Sequence, residues 1–198
     1  MLFNKILKKE DLDNIFQLLA KNYLLEGGTD TISIYIVGGA AIMIDFEYRL
    51  STTDIDAYFL ENDILTKAIQ KTAKELGLSN DWLNKDFVNT PSFSPKIEEV
   101  AKPFKEYEKC LVVFSLEPKY LIAMKLKSSR PTGGDLDDII KMIYELRYYQ
   151  KEISYKSIID AYEYLYPDYK NTYQYFIDRM KDAFETPIED IESITKRQ

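Results

Sequence analysis

Hydrophobic and polar positions in the first half of the chain switch between helical and strand spacing. Apolar side chains three or four positions apart predict helices, and β-branched or aromatic runs predict strands. In chain order they predict helix, strand, short helix, strand and helix, over residues 2–19, 31–37, 40–48, 54–60 and 63–78. Glycine pairs, Gly27–Gly28 and Gly38–Gly39, close the first helix and the first strand.

The second half begins with a stretch that has little pattern. Residues 80–102 contain Pro91 and Pro95 among scattered polar side chains, so we expect mostly loop there, with room for one short helix. Residues 110–116 predict a third strand, and Pro118 predicts the start of a helix. Further helices are expected over residues 119–129, 135–149, 155–166 and 168 or 169–184, and after Pro187.

Strands lie in the first part of the chain and helices dominate its end, which predicts a mixed α/β (α+β) fold. We expect two domains: a core of residues 1–150, and a helical C-terminal subdomain of residues 151–198.

Composition narrows the possible chemistry. The 198 residues include no histidine and carry a formal net charge of −7. Serine–histidine catalysis and histidine zinc sites are therefore excluded, and a metal would need oxygen ligands, which favours Mg²⁺ or Mn²⁺. The negative charge argues against an extended nucleic-acid surface, so no sequence-specific DNA binding is expected.

Cys110 is the single cysteine and heads an apolar strand, so we interpret it as a core thiol in a reducing compartment. No apolar run has the length of a membrane span, and the first residues contain no signal core. We therefore expect a cytoplasmic protein without a membrane partner.

Two carboxylates and the second glycine pair carry the candidate chemistry. Asp54 and Asp56 are two positions apart on a predicted strand, so their side chains share a face about 7 Å apart and repel unless a metal or proton neutralises them. The Gly38–Gly39 turn lets the backbone of a helix N-terminus approach a phosphate. Together they predict nucleotide transfer from a nucleoside triphosphate. A simple packing turn and a solvated edge strand are the alternatives.

The Gly-Gly turn followed by Asp54-Ile55-Asp56 resembles the signature of the DNA polymerase beta-type nucleotidyltransferase superfamily. The similarity continues through three later segments, residues 80–84, 120–130 and 135–138, and covers residues 34–140. This pattern looks like a bacterial branch similar to the toxin nucleotidyltransferases of abortive-infection and toxin–antitoxin systems. It implies a small mixed nucleotidyltransferase sheet flanked by helices.

The resemblance also implies roles for individual residues. Asp54 and Asp56 would bind Mg²⁺ or Mn²⁺ and, with Lys125, carry catalysis. The residues implied or considered for nucleotide binding are Gly38, Gly39, Arg49, Thr53, Arg130 and Asp138. A surface role for Arg49 and a turn cap at Thr53 stay open as alternatives.

Acidic residues in the first turn of the predicted helix 135–149 have two possible roles. Asp138, and to a lesser degree Asp135, would orient Lys125 or bind substrate, whereas simple complementarity to the helix dipole is the alternative. The strand 110–116 lacks the third carboxylate that active members usually carry, which leaves Glu117 or Asp138 to complete the site.

We therefore expect a metal-dependent nucleotidyltransferase that moves a nucleoside monophosphate to a tRNA, a protein hydroxyl or a small molecule. A toxin role, with a cognate antitoxin as partner, follows from the resemblance. The alternatives are a catalytically degenerate nucleotide-binding or regulatory module of the same fold and, less favoured, a structural protein that uses its tyrosine-rich helices. The NTP, the acceptor and the oligomeric state stay open.

Overall fold

The computed structural model describes residues 6–130, 132–167 and 174–195. Helices α1–α9 span Lys9–Leu25, Gly38–Asp45, Asp63–Leu76, Ile97–Val100, Pro118–Ser128, Asp135–Tyr148, Tyr155–Leu165, Gln174–Glu185 and Ile188–Thr195. Strands β1–β7 span Leu7–Lys8, Ile32–Ile36, Ser51–Thr52, Ile55–Tyr58, Leu83–Asn84, Ala101–Tyr107 and Leu111–Leu116. The predicted mixed α/β class is confirmed.

Five strands form one mixed sheet in the order β5-β4-β2-β7-β6. Strand β2 lies at its centre, antiparallel to β4 and parallel to β7, while β5 runs parallel to β4 and β6 antiparallel to β7. Strands β1 and β3 pair separately. The predicted strand of Asp54 and Asp56 was expected beside the Ile34 strand, and the pairing of β4 with β2 confirms this, although Asp54 itself precedes β4.

Burial alternates along the central strands, as side chains that point to opposite faces require. Ile34, Ile36 and Ala57 are fully buried on one face. Tyr35 and Asp56, one position away, are only half-buried. The other face of the sheet is thus open enough to hold functional side chains.

Helices α1 and α3 pack against each other, and α1 also contacts β6. Trp82 is 1% exposed and donates from Nε1 to the carbonyl of Ile69 at 3.2 Å, which anchors it in the core. The side chain of Asn62 caps the start of α3, and Gly77, with φ of +65°, ends it as predicted.

Four strands, β1, β3, β5 and β6, were not predicted. Leu7 pairs with Thr52 in the β1–β3 ladder, although its spacing predicted a helix. Strands β5 and β6 contain residues assigned to loop or to no element, and β6 holds Pro103 on an almost wholly exposed strand. Neither carries the alternation that marks a strand, because edge strands form through backbone pairing with a neighbour and bury few side chains.

The chain divides into two compact units, each considered separately below. The first comprises Met1–Val88 and Ile97–Leu116, and the second comprises Asn89–Lys96 and Glu117–Gln198. Independent domains of residues 1–150 and 151–198 stay a prediction, and the compact units are bounded at other positions.

Described residues beyond 151 are mainly helical, as expected. The first residues of the predicted helix from 168 or 169 lie outside the described ranges. Cys110 is buried as predicted, and burial raises the pKa of its thiol. Among the described helices, none is long and apolar enough to cross a membrane.

Candidate active site

The turn between β2 and α2 brings Gly38 against a carboxylate. Gly38 has φ of +60°, a conformation that side chains with a Cβ rarely adopt. A Cβ on Gly38 would stand 2.8 Å from Oδ2 of Asp56. The Val37 amide donates to the backbone carbonyl of Asp56 at 2.9 Å and ties the turn to β4. Glycine is thus required here by both conformation and space.

Gly39 faces a different pair of side chains. A Cβ there would stand 2.7 Å from Nη2 of Arg49 and 3.0 Å from Oγ1 of Thr52. Arg49, a predicted nucleotide-binding residue, therefore lies at the turn. The two glycines leave space beside one carboxylate and one guanidinium group.

Thr52 contacts this turn, whereas the predicted Thr53 is exposed. The Thr52 hydroxyl donates to the backbone carbonyl of Asp54 at 3.0 Å, and Thr52 is held in β3 by pairing with Leu7. The run Ser51-Thr52-Thr53 offers three hydroxyl groups in the segment before β4. Only the β1–β3 ladder decides which of the three faces Gly39.

Helix α2 begins at this turn, and the side chain of its N-cap residue makes no hydrogen bond to the first amides. Its N-cap residue, Val37, is extended and apolar. Amides at a helix N-terminus carry partial positive charge, which favours an anion there. Arg49, beside Gly39, adds a full positive charge at the same place.

Of the two aspartates, Asp56 lies on β4, whereas Asp54 lies in the bend just before it, so the strand begins one residue later than predicted. Asp54, Asp56 and Tyr58 are half-buried, and the intervening Ile55 and Ala57 are fully buried. A shared face for Asp54 and Asp56 stays a prediction. Asp56 is also in register with Asn84 on β5, whose side chain accepts a bond from the Asp86 amide.

The donor set at these aspartates fits a magnesium-type ion. Both offer carboxylate oxygens, and among the described residues no group of three acidic, histidine or cysteine side chains is close enough to form a metal cage. Mg²⁺ is commonly held by one or two carboxylates, with substrate phosphates and water as further ligands. Asp54 and Asp56 would therefore supply the protein's share of such a site.

Strand β7 carries no third carboxylate and instead supplies an aromatic ring. Phe114 is in register with Tyr35, and their rings stack with centroids 4.8 Å apart. Glu117 follows β7 as the N-cap residue of α5 and forms an ion pair with Lys119 at 3.0 Å. Glu117 belongs to the second unit, so its role as a third carboxylate stays a prediction.

The later predicted residues form a buried ionic cluster in the second unit. Nζ of Lys125, on α5, lies 3.0 Å from Asp135 and 2.8 Å from Asp138, both on α6. The Lys125 side chain is 13% exposed, that of Asp138 is 10% exposed and that of Asp135 is fully buried. The two carboxylates thus hold the ammonium group in one position.

Arg130 completes this cluster. Its Nε and Nη2 donate to the two oxygens of Asp135 at 3.0 and 2.9 Å, and its backbone amide donates as well. Burial alone would raise the pKa of Asp135, but the Arg130 bonds and the Lys125 charge lower it to about 2. Asp135 is therefore ionised at neutral pH.

Arg130 itself remains 62% exposed. The structure thus brings together Lys125, Arg130, Asp135 and Asp138, and separately Gly38, Gly39, Arg49, Thr52 and Asp56. The two groups belong to different compact units, so the expectation that Lys125 faces the Asp54 and Asp56 carboxylates stays a prediction.

Comparison with known proteins identifies the family. Residues 11–181 match the model of a family described as nucleotidyltransferase of unknown function (DUF6036). The match covers most of the chain, which therefore belongs to this nucleotidyltransferase family. No curated protein and no solved structure gave a significant match.

Proposed function

We propose that the chain transfers a nucleoside monophosphate from an NTP to an acceptor, with Mg²⁺ or Mn²⁺ held by Asp54 and Asp56. Family membership supports nucleotidyl transfer in general. The observation that carries the proposed metal-dependent mechanism is the Asp56 carboxylate, which lies against Gly38 where helix α2 begins. An anion site and a carboxylate site therefore adjoin within one unit.

The triphosphate would bind at the start of α2. The first amides of the helix and the guanidinium group of Arg49 supply positive charge there. Thr52 offers a hydroxyl beside Gly39, and Thr53 stays a further candidate at the exposed end of the turn. A side chain at either glycine would occupy the space that a phosphate needs.

Asp54 and Asp56 would act as metal ligands. The bound ion would supply charge stabilisation for the α-phosphate and for the departing pyrophosphate. The protein's contribution is geometric, because β4 carries Asp56, with Asp54 directly before the strand, and the Val37–Asp56 backbone bond ties this segment to the turn. The acceptor oxygen would form the new bond to the α-phosphorus as the α–β phosphoanhydride bond breaks.

Within the ionic cluster of the second unit, Arg130 is the residue that we propose for phosphate contact. Lys125 is occupied by two carboxylates, whereas Arg130 is 62% exposed while it is bound to Asp135. We therefore assign phosphate contact first to Arg130. Lys125 and Asp138 would hold α5 and α6 in register, and direct phosphate contact by Lys125 stays a prediction.

A degenerate nucleotide-binding module of the same fold is the second candidate. It is favoured by β7, which carries no carboxylate and places Phe114 beside Tyr35. Such a protein would bind NTP without transferring it. A tRNA, protein or small-molecule acceptor, a toxin role and an antitoxin partner rest on the resemblance alone.

Isothermal titration and a transfer assay distinguish these two functions. The four NTPs as non-hydrolysable analogues are titrated with Mg²⁺, with Mn²⁺ and with chelator, into the wild type and Asp56→Asn. Metal-dependent binding that Asp56→Asn abolishes supports the metal site. Label transfer from α-phosphate-labelled NTP to total tRNA, protein or small molecules supports the enzyme. Metal-independent binding without transfer supports the degenerate module.

A further inference from the structure

A pocket in the first unit opens where β2 begins and β4 ends. Its volume is about 280 Å³, enough for a small organic molecule. Residues from α1, β2, β4 and α4 line it, together with the segments that flank the two strands. Gly38, Gly39 and Arg49 are not among its lining residues, so it is separate from the proposed triphosphate site.

Aromatic rings form much of the wall. Tyr35 and Tyr58 are in register on β2 and β4, and their ring centroids lie 6.2 Å apart at 38°. The Tyr23 ring, from α1, packs so closely on Gly28 that a Cβ there would stand 2.2 Å from it. The faces of such rings attract cations through their electron density.

The charged groups of the wall are all acidic. Asp30 and Glu98 line the pocket, and no lysine or arginine does. Neither carboxylate has an ion-pair partner within residues 6–130, 132–167 and 174–195. Lys85 lies near, 5.5 Å from the centroid of the Phe59 ring, but it pairs with Glu61.

Tyr58 connects this wall to Glu98. The side chains of Tyr58 and Glu98 form a hydrogen bond. Glu98 is therefore held at the tyrosine hydroxyl, although the residue as a whole is exposed. A pocket with this charge repels phosphate and attracts a positively charged group.

We propose that this pocket binds an organic cation, a small molecule that places an ammonium or guanidinium group between the Tyr35 and Tyr58 rings and the carboxylates of Asp30 and Glu98. Both kinds of contact favour a cation over a neutral ligand of equal size. Tyr58 is two positions from Asp56 on the same strand face, a step of about 7 Å. If the proposed function holds, the bound molecule is placed to be the acceptor.

The test is calorimetric titration of the full chain with hexamethylenediamine, in the absence of nucleotide. Hexanediol, which has the same length and no charge, is the matched ligand. We expect saturable binding of one diamine per chain and no binding of the diol. Saturation with neither ligand, or equal binding of both, would overturn the proposal.

Variants separate this pocket from the general negative charge of the protein. Glu98→Gln and Asp30→Asn should each weaken diamine binding by roughly fivefold or more, since each removes a charged contact. Glu99→Gln, next to Glu98 but outside the pocket, should change the affinity for the diamine less than about twofold. An effect of that size is expected from the salt-screened attraction of any nearby surface charge. Equal effects of Glu98→Gln and Glu99→Gln would contradict the proposal.

Asp30 is exposed, so its variant keeps the test valid if Glu98→Gln does not fold. The outcome is independent of the proposed activity. Diamine binding without binding of Mg²⁺ and nucleotide would support the organic-cation site and contradict the proposed nucleotidyltransferase function. The reverse result would support the proposed function and contradict the organic-cation site.

Discussion

Asp56 lies so close to Gly38 that a Cβ at position 38 would stand 2.8 Å from its Oδ2. This contact joins the two motifs that are separated in sequence by helix α2 and strand β3. Because the glycine lacks a side chain, the carboxylate can lie at the turn itself. The positions of the proposed metal ligand and of the proposed anion site thus depend on each other.

Gly38→Ala should destabilise the protein and displace Asp56. Positive φ costs about 1–2 kcal/mol for alanine, and the contact with the carboxylate adds about 1 kcal/mol or more. Gly77→Ala is the matched control, since Gly77 has a similar φ of +65° but open space around its Cβ position. Urea denaturation should show a larger loss of unfolding free energy for Gly38→Ala than for Gly77→Ala. Equal losses would mean that the Asp56 side chain moves away from the added methyl group without cost.

Asp56→Ala should abolish nucleotide transfer and leave the apoprotein at least as stable as the wild type. Without metal, the Asp54 and Asp56 carboxylates repel each other, so removal of one relieves that repulsion. With Mg²⁺ and NTP the order should reverse, because only the wild type gains binding free energy. Melting curves with and without Mg²⁺ and NTP measure both effects.

Asp86→Ala, at an exposed acidic position, serves as the control for this prediction and should change neither curve. If Asp56→Ala unfolds the apoprotein, the pair is structural. In that case the metal site loses its principal ligand.

Asp135 should make stability depend on pH in the acid range. Its pKa is about 2 in the folded protein and 3.8 ordinarily, so the unfolded chain takes up this proton first as pH falls. The stability that it provides is complete above about pH 5 and is lost as pH falls from about 4 to about 2, an effect of about 2 kcal/mol.

The advantage of the wild type over Asp135→Asn in unfolding free energy should therefore shrink across that range. Denaturation at several pH values measures this difference. Asp137→Asn is the control on the same helix, because the Asp137 side chain is 67% exposed and its pair with Lys141 contributes little. A constant difference between wild type and Asp135→Asn would contradict the prediction.

Lys125→Met and Arg130→Gln should affect different properties. Loss of Lys125 removes a partner from two buried carboxylates and should cost about 3–5 kcal/mol. Loss of the exposed Arg130 leaves Asp135 its bond to Lys125 and should cost roughly 1 kcal/mol. If Arg130 contacts phosphate, only its variant should weaken NTP binding in a protein that remains folded.

Chemical denaturation and calorimetric titration, made on the same samples, measure the two properties. Unchanged NTP affinity in Arg130→Gln would restrict Arg130 to a structural role. A stable Lys125→Met protein with weakened NTP binding would instead restore Lys125 as the phosphate contact.

The sequence by itself determined the order of β2, the Gly-Gly turn, α2 and β4. Hydrophobic alternation places Asp56 on the face opposite to Ala57, and two adjacent glycines between a strand and a helix indicate a tight turn. Helix α3 was equally clear, because Gly77 ends a run of strong helical periodicity. These features depend on residues that are near one another in the chain.

Only the tertiary structure decided which distant residues meet. Thr52 rather than Thr53 faces Gly39 because β3 pairs with β1, and β6 forms because β7 offers it a free edge. Lys125 meets Asp135 and Asp138 only once α5 and α6 have packed together. Such contacts arise from backbone pairing and helix packing across long separations, which no local pattern of polar and apolar residues encodes.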